Sequence, residues 1–367
     1  MHFQISREAL IKPLQLVSSA IGGRPTVPIL GNILLVVSEH SLSMTGTDME
    51  VELVAHLAID AASQTGSVTV PAKKFVDICK GLPDGCIIEC KAQGDRLQVR
   101  SGRSRFSLAT LPASDYPNVD SWQPQLDLVI KQGQLKQLID KTQFSMASQD
   151  VRYYLNGMLF ETEGQKLRTV ACDGHRIALA ATDLGCELGA IQVIVPRKGV
   201  LELIRLLEQD DADIQLQIGT NNLKAIVQGF TFTCKLVDGR FPDLRRVIPN
   251  GGDKVLISGR EELRQAFSRA AILSNEKFRG VRLQLSGQTL TITANNPEQE
   301  ESEEILDVAY QGDDLEIGFN VSYILDVLNA LKSDQVRLTM SDSSTGSLIE
   351  DSEQTGQALY VIMPMRL

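Results

Sequence analysis

An internal repeat with a period near 125 residues constrains this chain more than any other feature of its sequence. The segment Val70–Lys80 matches the segment Val195–Arg205 in its apolar, acidic and basic positions, and a weaker third copy lies at Phe319–Asn329. The opening segments of the three copies also align, at Ile5, Ile130 and Ile257. This period is far longer than a solenoid unit. We therefore predict one domain fold that is used three times.

Each copy carries the pattern helix, strands, helix, strands. Leu10, Leu14 and Val17 recur at helical spacing, whereas Ile33–Val37 is a β-branched run of the kind found in strands. Turn dipeptides separate the strands, at Ser101–Gly102, Glu163–Gly164 and Ser286–Gly287. The chain is predicted to be α+β, with two helices and antiparallel sheets in each of three domains. The predicted domains are 1–125, 126–252 and 253–367.

The charge balance limits the partners. The formal net charge is −10, which argues against a protein that binds nucleic acid by charge alone unless its cations are gathered on one surface. No apolar run approaches the roughly 20 residues of a membrane helix, and the first residues do not resemble a secretory signal. The six cysteines are scattered without a C-x-x-C pair. We expect a cytoplasmic protein with reduced thiols and no membrane partner.

The repeat suggests where cations gather. Lys73 and Lys80 are seven residues apart and share one helix face, and Lys198 and Arg205 hold the equivalent positions of the second copy. Such helices around one cavity would form a surface that binds phosphate without reading sequence. The third copy lacks these cations, and ordinary solvated helix faces remain the alternative.

Two further charge clusters are complementary. Four arginines crowd a predicted hairpin of the first domain, at Arg96, Arg100, Arg103 and Arg105. An acidic run, Glu298–Glu304, lies in the third domain. They are either two solvated faces or the two halves of a head-to-tail contact between copies, which closes a ring when the rotation permits.

Catalytic motifs are largely missing. The sequence has no phosphate-binding glycine loop, no H-E-x-x-H and no G-x-S-x-G, and its four histidines offer little for a metal site. The segment Cys172–Arg176 combines a thiol, a carboxylate and an imidazole, but neighbours in sequence seldom have the geometry of a catalytic dyad. We expect no catalytic residues, no metal and no cofactor.

Several stretches together carry a family resemblance over essentially the whole chain. They are Gly22–Leu30, Gln149–Gly157, Asp173–Arg176, Leu236–Asp243 and Met363–Leu367. In this order and spacing the chain resembles the beta subunits of bacterial DNA polymerase III, which are sliding clamps, most closely the proteobacterial members.

The resemblance implies three clamp domains per chain and a non-enzymatic homodimeric ring that encircles duplex DNA, holds the polymerase on its template and is associated with the nucleoid when loaded. The matching DNA contacts are Arg24, Lys73, Gln149, Tyr153 and Tyr154. The implied dimer contact sets Lys74, Arg96, Arg103, Arg105, Phe106 and Leu108 of one copy against Ile272, Leu273, Glu298, Glu300, Glu301 and Glu304 of the other.

The resemblance also implies a pocket for peptides of the Gln-Leu-x-Leu-Phe kind. These would come from the polymerase III alpha subunit, the clamp loader, other polymerases and repair proteins. The matching positions are Leu155, Cys172, Gly174, His175, Arg176, Ile177, Pro242, Arg246, Val247, Asn320, Tyr323, Val361, Met363, Pro364, Met365 and Arg366. Methionine suits a groove with several ligands because its side chain repacks easily. Cys172 replaces the expected small hydroxyl residue, which brings one hydrogen bond of the pocket into question.

Two other functions remain open from the residues alone. One is an acidic interaction scaffold that never encircles DNA, and the other is a thiol-dependent hydrolase built on Cys172 and His175.

Overall fold

The computed structural model describes residues 1–23, 25, 27–60, 62–117, 122–243, 247–249 and 251–366. The helices of nine or more residues within these ranges are α1 (Arg7–Ala20), α2 (Ala72–Gly81), α3 (Gln132–Asp140), α4 (Arg197–Leu206), α5 (Arg260–Ala270) and α6 (Val321–Ala330). Within the same ranges, no helix is both long and apolar enough to cross a membrane.

Strands occupy most of the remaining chain. The strands of the first copy are β1 (His2–Ser6), β2 (Asn32–Val37), β3 (Ser41–Thr47), β4 (Val51–Ala58), β5 (Gly66–Pro71), β6 (Ile87–Gln93), β7 (Arg96–Ser101) and β8 (Ser104–Ala109). Those of the second are β9 (Leu126–Lys131), β10 (Gly157–Cys172), β11 (Arg176–Pro196), β12 (Asp213–Ile218), β13 (Asn222–Val227) and β14 (Phe230–Lys235). Those of the third are β15 (Lys254–Gly259), β16 (Gly280–Ser286), β17 (Thr289–Asn295), β18 (Glu301–Asp307), β19 (Ala309–Gln311), β20 (Leu315–Asn320), β21 (Gln335–Met340), β22 (Ser347–Asp351) and β23 (Ala358–Ile362).

The predicted repeat of two helices per copy is confirmed. The first helix of each copy directly follows a strand, and so does the second, in all three copies. Helix α1 shows why these segments are helical. The Ser6 hydroxyl accepts a hydrogen bond from the Ala9 amide at 3.3 Å, and Leu10, Leu14 and Val17 are buried along one face. The combination of these helices with antiparallel sheets confirms the α+β class.

The chain divides into two compact units. Unit 1 comprises Met1–Lys136 and Lys198–Leu236, and unit 2 comprises Gln137–Arg197 and Val237–Leu367. The middle copy contributes to both units, so the compact units do not coincide with the three predicted domains, whose boundaries stay a prediction.

Unit 1 contains two antiparallel sheets. One has four strands in the order β1-β6-β7-β8, which leaves β8 at an edge. The other has eight strands in the order β5-β2-β3-β4-β14-β13-β12-β9. This larger sheet joins the first and second copies, because β4 pairs with β14 and brings Val51 opposite Cys234.

Unit 2 repeats this arrangement. Its seven-stranded sheet has the order β10-β11-β23-β22-β21-β15-β19, and its four-stranded sheet β18-β17-β16-β20 has β18 at an edge. The second and third copies are joined where β11 pairs with β23, with Arg176 opposite Ile362. Glu163 and Gly164, predicted as a turn, lie within β10, but the pairing with β11 shifts register on both sides of Gly164, whose φ is +60°. Because seven residues of straight strand would span about 23 Å, the ion pairs of Arg168 with Glu161 and Glu163 require the chain to bend here.

Candidate functional site

An apolar patch on one face of the seven-stranded sheet brings together four of the predicted pocket residues. Cys172 lies opposite Ile177 on the neighbouring strand, and Ile177 lies opposite Val361 on the next. These three side chains and Leu155 belong to one buried hydrophobic cluster. Side chains that form such a row across three strands share one face of the sheet, so the patch is a continuous apolar floor.

Sequence reasoning missed several residues of the same cluster. Leu159, Val170 and Phe241 are buried in it, and Ile248 packs against it while partly exposed, as does Tyr154, which the resemblance assigned to DNA. Val170 is two residues before Cys172 on the same strand face, so alternation along the strand could have revealed it. Phe241 carries no comparable sequence pattern, because it reaches the floor from a segment outside the sheet.

Arg176 stands at the end of this floor and is the most heavily bonded side chain of the site. Its guanidinium donates hydrogen bonds to Asp173 at 3.0 Å, to Asp326 at 2.5 Å and to the Phe144 carbonyl at 2.6 Å. It also lies over the Tyr323 ring, 4.4 Å from the ring centroid. The side chain is only 11% exposed. Arg176 therefore holds in place the ring of Tyr323, the α6 residue that the resemblance assigns to the pocket.

Residues 363 and 365 are held by backbone hydrogen bonds to the turn after β10 and to β20. The Met363 amide donates to the His175 carbonyl at 2.9 Å, and the Met365 amide donates to the Gly318 carbonyl at 2.9 Å. The Met363 side chain is 39% exposed, so its thioether is available to a ligand. At the start of α6, the Asn320 side chain accepts a hydrogen bond from the Ser322 amide at 2.9 Å and is therefore the cap of that helix.

The turn between β10 and β11 depends on Gly174. This residue has a φ of +89°, and a Cβ at its position would lie 2.4 Å from Nη2 of Arg152. Arg152 in turn forms a two-pronged contact with Asp150, at 3.0 and 2.9 Å, and this contact lowers the pKa of Asp150 to about 2. The positive φ of Gly174 favours a residue without a side chain here, and the guanidinium of Arg152 occupies the space that a side chain would enter.

Cys172 keeps a polar contact although it replaces a hydroxyl residue. Its Sγ accepts a hydrogen bond from the Gly174 amide at 3.3 Å. Burial raises the pKa of the Cys172 thiol, and the amide bond offsets only part of that rise. The hydrogen bond that the sequence brought into question therefore has a substitute, and the thiol is held in its neutral, weakly nucleophilic form.

The remaining predicted pocket residues lie at the rim. Pro242 and Val247 are exposed on the segment that follows Phe241, and Val247 is 42% exposed. Pro364 and Met365 are half-buried, and Arg366 is exposed. Arg246 lies outside the described residues.

The predicted DNA contacts occupy exposed positions where the structure describes them. Lys73 is exposed on α2, and the described residues form no ion pair with it. Gln149 has a φ of +59° and is exposed, and Tyr153 is 58% exposed with its ring 5.9 Å from that of half-buried Tyr154. Arg24 lies outside the described residues.

The second copy of the basic helix face is not free. Lys198 pairs with Asp48, and Arg205 pairs with Glu202 at 2.6 Å. Lys198 is therefore less available to phosphate than its equivalent Lys73, because its charge is already paired within the chain.

The two edge strands carry the predicted contact between copies. On β8, Arg105 is exposed and Phe106 is 36% exposed. Arg96 and Arg103 next to this strand are exposed, as is Lys74 on α2. Leu108, however, is only 6% exposed within its own chain, so its side chain supports the edge from the core and offers little contact surface.

The opposing set surrounds β18. Ile272 is 75% exposed and Leu273 is half-buried, while Glu298, Glu300 and Glu301 are exposed. Glu304 forms an ion pair with Arg269 of its own chain at 2.6 Å, and this contact lowers the pKa of Glu304. Glu304 is thus less available to a partner than the sequence suggested.

Comparison with known proteins identifies the family. Three family models cover nearly the whole chain: the N-terminal domain of the DNA polymerase III beta subunit matches residues 1–120, its central domain 129–243 and its C-terminal domain 245–366. The beta sliding clamps of Vibrio cholerae and Escherichia coli K12 are each 60% identical to this chain over 367 residues, with full coverage of both chains.

Solved structures agree. The DNA polymerase III subunit beta of Pseudomonas aeruginosa superposes with a TM-score of 0.96 at 53% identity, with full coverage of both chains. A sliding clamp of the same species, solved bound to griselimycin, superposes with a TM-score of 0.97 at 53% identity and the same coverage. Identity at this level over the full length shows more than a common fold. The chain belongs to the DNA polymerase III beta subunit family and is a bacterial DNA sliding clamp.

Proposed function

We propose that two copies of this chain close head to tail into a ring around duplex DNA, through β8 of one copy and β18 of the other. The observation that carries the proposal is the pairing rule of the two junctions within the chain. Strand β4 of the first copy pairs with β14, the last strand of the second, and β11 pairs with β23, the last strand of the third. In the third copy, the strand equivalent to β4 and β11 is β18. In the first copy, the last strand is β8. Both are edges.

The register of the junctions predicts which residues meet. Asn295 lies opposite Glu301 in the β17–β18 hairpin, as Thr47 lies opposite Glu52 in the β3–β4 hairpin, so Glu301 corresponds to Glu52. Glu52 pairs with Thr233 of β14. The position in β8 that corresponds to Thr233 is Ser107, because the β7–β8 and β13–β14 hairpins align. Glu301 would therefore lie opposite Ser107.

The same register brings opposite charges together. Ser302 would lie opposite Phe106, and Glu303, which the sequence did not single out, would lie opposite Arg105. Cross-strand pairs of opposite charge contribute roughly 0.2–1 kcal/mol each. Exposed Ile272 adds apolar surface that a partner would cover.

Cysteine crosslinking tests both the contact and its register. In a Cys186→Ser background, Glu301→Cys combined with Ser107→Cys should give a covalent dimer on mild oxidation. The matched control combines Glu301→Cys with Ser104→Cys, which the register separates by about 10 Å. Disulfides rarely bridge Cα atoms more than about 7 Å apart. A native mass of one chain at micromolar concentration, or equal crosslinking in the control, would contradict the proposal.

DNA would be held by topology, with weak contacts to phosphate from Lys73, Arg24, Gln149, Tyr153 and Tyr154. Lys73 is exposed, and no residue in the described part of the chain forms an ion pair with it, which supports this role. Such contacts ignore base sequence and weaken with salt. A ring with this task acts on the bacterial nucleoid, in the cytoplasm.

Retention on DNA distinguishes this function from an acidic scaffold that does not encircle DNA. Once a clamp loader has placed the protein on nicked circular DNA, it should remain bound through gel filtration and be lost after the circle is linearised. A scaffold would show no difference between circular and linear DNA, and a strong preference for one DNA sequence would also contradict the ring.

Partner proteins would bind the pocket of unit 2 through peptides of the Gln-Leu-x-Leu-Phe kind. The partners proposed are the polymerase III alpha subunit, the clamp loader, other polymerases and repair proteins. The apolar floor and the exposed Met363 support this assignment. Deletion of Met363–Leu367 should abolish binding of a labelled peptide and leave the dimer intact, because the tail is not part of β18. Unchanged affinity would locate the partner site elsewhere.

No catalytic role is proposed. A hydrolase built on Cys172 would need an accessible thiolate, whereas burial raises the pKa of this thiol and its sulfur accepts a hydrogen bond from Gly174. Any hydrolase activity that disappears with Cys172→Ala alone would reverse this view.

A further inference from the structure

The apolar floor of the proposed peptide pocket continues along the sheet beyond the residues assigned to the pocket. One step along the strands from the Cys172–Ile177–Val361 row, Val170 lies opposite Leu179, and Leu179 lies opposite Leu359. The next two steps bring Arg168 opposite Ala181 and then Lys166 opposite Asp183. The face thus changes from apolar to charged over three steps, or about 20 Å.

An open cavity of about 960 Å³ lies over this continuation. Val170, Leu179 and Leu359 line its apolar part, and Lys166, Arg168 and Arg240 line its charged part. Phe241 and Ile248 also line the cavity and belong to the cluster that forms the pocket floor. The cavity and the proposed pocket therefore share one continuous wall.

The charges of the cavity are unevenly satisfied. Its three carboxylates already have partners. Glu161 and Glu163 both form ion pairs with Arg168, and Asp243 also interacts with another group. Lys166 and Arg240, in contrast, are exposed, and the described residues form no ion pair with either. Three cations and three carboxylates line the cavity, so its formal charges balance, and Lys166 and Arg240 are the two cations that remain exposed for a ligand carboxylate.

We propose that this cavity is a second subsite for partner segments and takes an acidic flank of the clamp-binding peptide. The inference rests on the proposed peptide pocket and specifies its ligand further. The apolar core of the peptide would occupy the Cys172–Ile177–Val361 end, and a flank of about six extended residues would span the distance to Lys166 and Arg240. Carboxylates in that flank would pair with Lys166 and Arg240.

Peptide titrations against the full-length chain test this subsite. The probes are a labelled Gln-Leu-Ser-Leu-Phe core, the core extended by about six residues that include three acidic ones, and the core extended by serines. Each extension is made at the N-terminus and, separately, at the C-terminus. The proteins are wild type, the double variant Lys166→Gln/Arg240→Gln, and the matched control Lys91→Gln/Lys332→Gln, which removes two exposed lysines elsewhere.

The acidic extension at one terminus should bind wild type about five-fold more tightly than the serine extension, as expected for two exposed ion pairs. High salt should reduce this gain. The double variant should lose the gain and bind the bare core as wild type does, whereas the control should keep it. A gain that is absent at both termini, or that survives in the double variant, would overturn the subsite. Failure of the bare core to bind wild type would overturn the proposed pocket itself.

Discussion

The two junctions between copies use equivalent positions for different purposes. At the first junction, in unit 1, Asp48 begins the turn between β3 and β4, and Lys198 lies in the first turn of α4. At the second junction, in unit 2, the residues 125 positions later are Asp173 and Tyr323. The backbone pairing of the two junctions is the same, so the side chains alone account for the difference.

The first junction is closed by polar contacts. The Lys198 ammonium pairs with Asp48 and donates to the carbonyl of Ala20, the last residue of α1, at 2.7 Å. One turn further along α4, buried Glu202 accepts a hydrogen bond from the Ser19 hydroxyl at 2.5 Å. Lys198 also supplies the positive charge that the last turn of α1 lacks.

The second junction is built from different side chains. Asp173 is bound by Arg176 of its own hairpin, so position 323 carries no cation and instead presents a ring under the guanidinium. The neighbouring floor stays apolar and lies beside the exposed Met363. Equivalent junctions thus hold two copies together in one place and form a proposed binding surface in the other. The difference depends on whether the aspartate is paired by the neighbouring copy, as Asp48 is by Lys198, or by its own hairpin, as Asp173 is by Arg176.

The largest effect is expected at the second junction. Arg176→Met removes three hydrogen bonds and leaves Asp173 without its partner. Breaking a buried pair in this way costs about 3–5 kcal/mol. Hydrogen exchange of the α6 amides should accelerate accordingly, and peptide affinity should fall with it. Arg282→Met is the control in the same unit, because its ion pair with Glu316 is more exposed and is worth at most about 1 kcal/mol. Equal effects of the two changes would contradict the central role of Arg176.

A smaller effect is expected at the closed junction. Lys198→Met should lower the free energy of unfolding by about 2 kcal/mol, because the lost pair is partly exposed but leaves the Ala20 carbonyl without its donor. Faster exchange should be confined to the amides of α1 and α4, and peptide binding should not change. A loss of peptide affinity in this variant would show that the two junctions do not act independently.

The loss of folding stability at low pH should also distinguish the junctions. Burial alone would raise the pKa of Asp48, but hydrogen bonds from Lys198 and two amides lower it below its usual 3.8. A lowered folded pKa stabilises the protein above about pH 4, and this contribution disappears as the pH falls through the folded pKa. Between pH 5 and pH 3, wild type should lose about 1 kcal/mol more than Asp48→Asn. Asp60→Asn, an exposed control, should keep the wild-type slope, and an unchanged slope in Asp48→Asn would contradict the assignment.

The sequence predicted what depends on periodicity and missed what depends on distant partners. The helices followed from apolar spacing such as Leu10, Leu14 and Val17, which are buried together. Lys198 was assigned to a free basic face, because its partner Asp48 is 150 residues away and nothing local indicates the pair. Phe241 was missed for the same reason, since its burial depends on which face of the sheet its segment covers.

Position 73, the first-copy equivalent of Lys198 and Tyr323, should show the smallest effect on stability. Lys73 is exposed and the described residues form no ion pair with it, so Lys73→Met should change the free energy of unfolding by no more than about 0.5 kcal/mol. The measurement is made by urea unfolding in the monomeric background Ile272→Ala/Leu273→Ala, which removes any contact from a second copy. In the dimer, the same change should shorten retention on circular DNA at moderate salt, because one cation that faces phosphate is lost. Lys91→Met, an exposed change on β6, is the control for net charge and should leave retention unchanged. A destabilised monomer would show that Lys73 has a structural role like that of Lys198, and unchanged retention would remove it from the DNA surface.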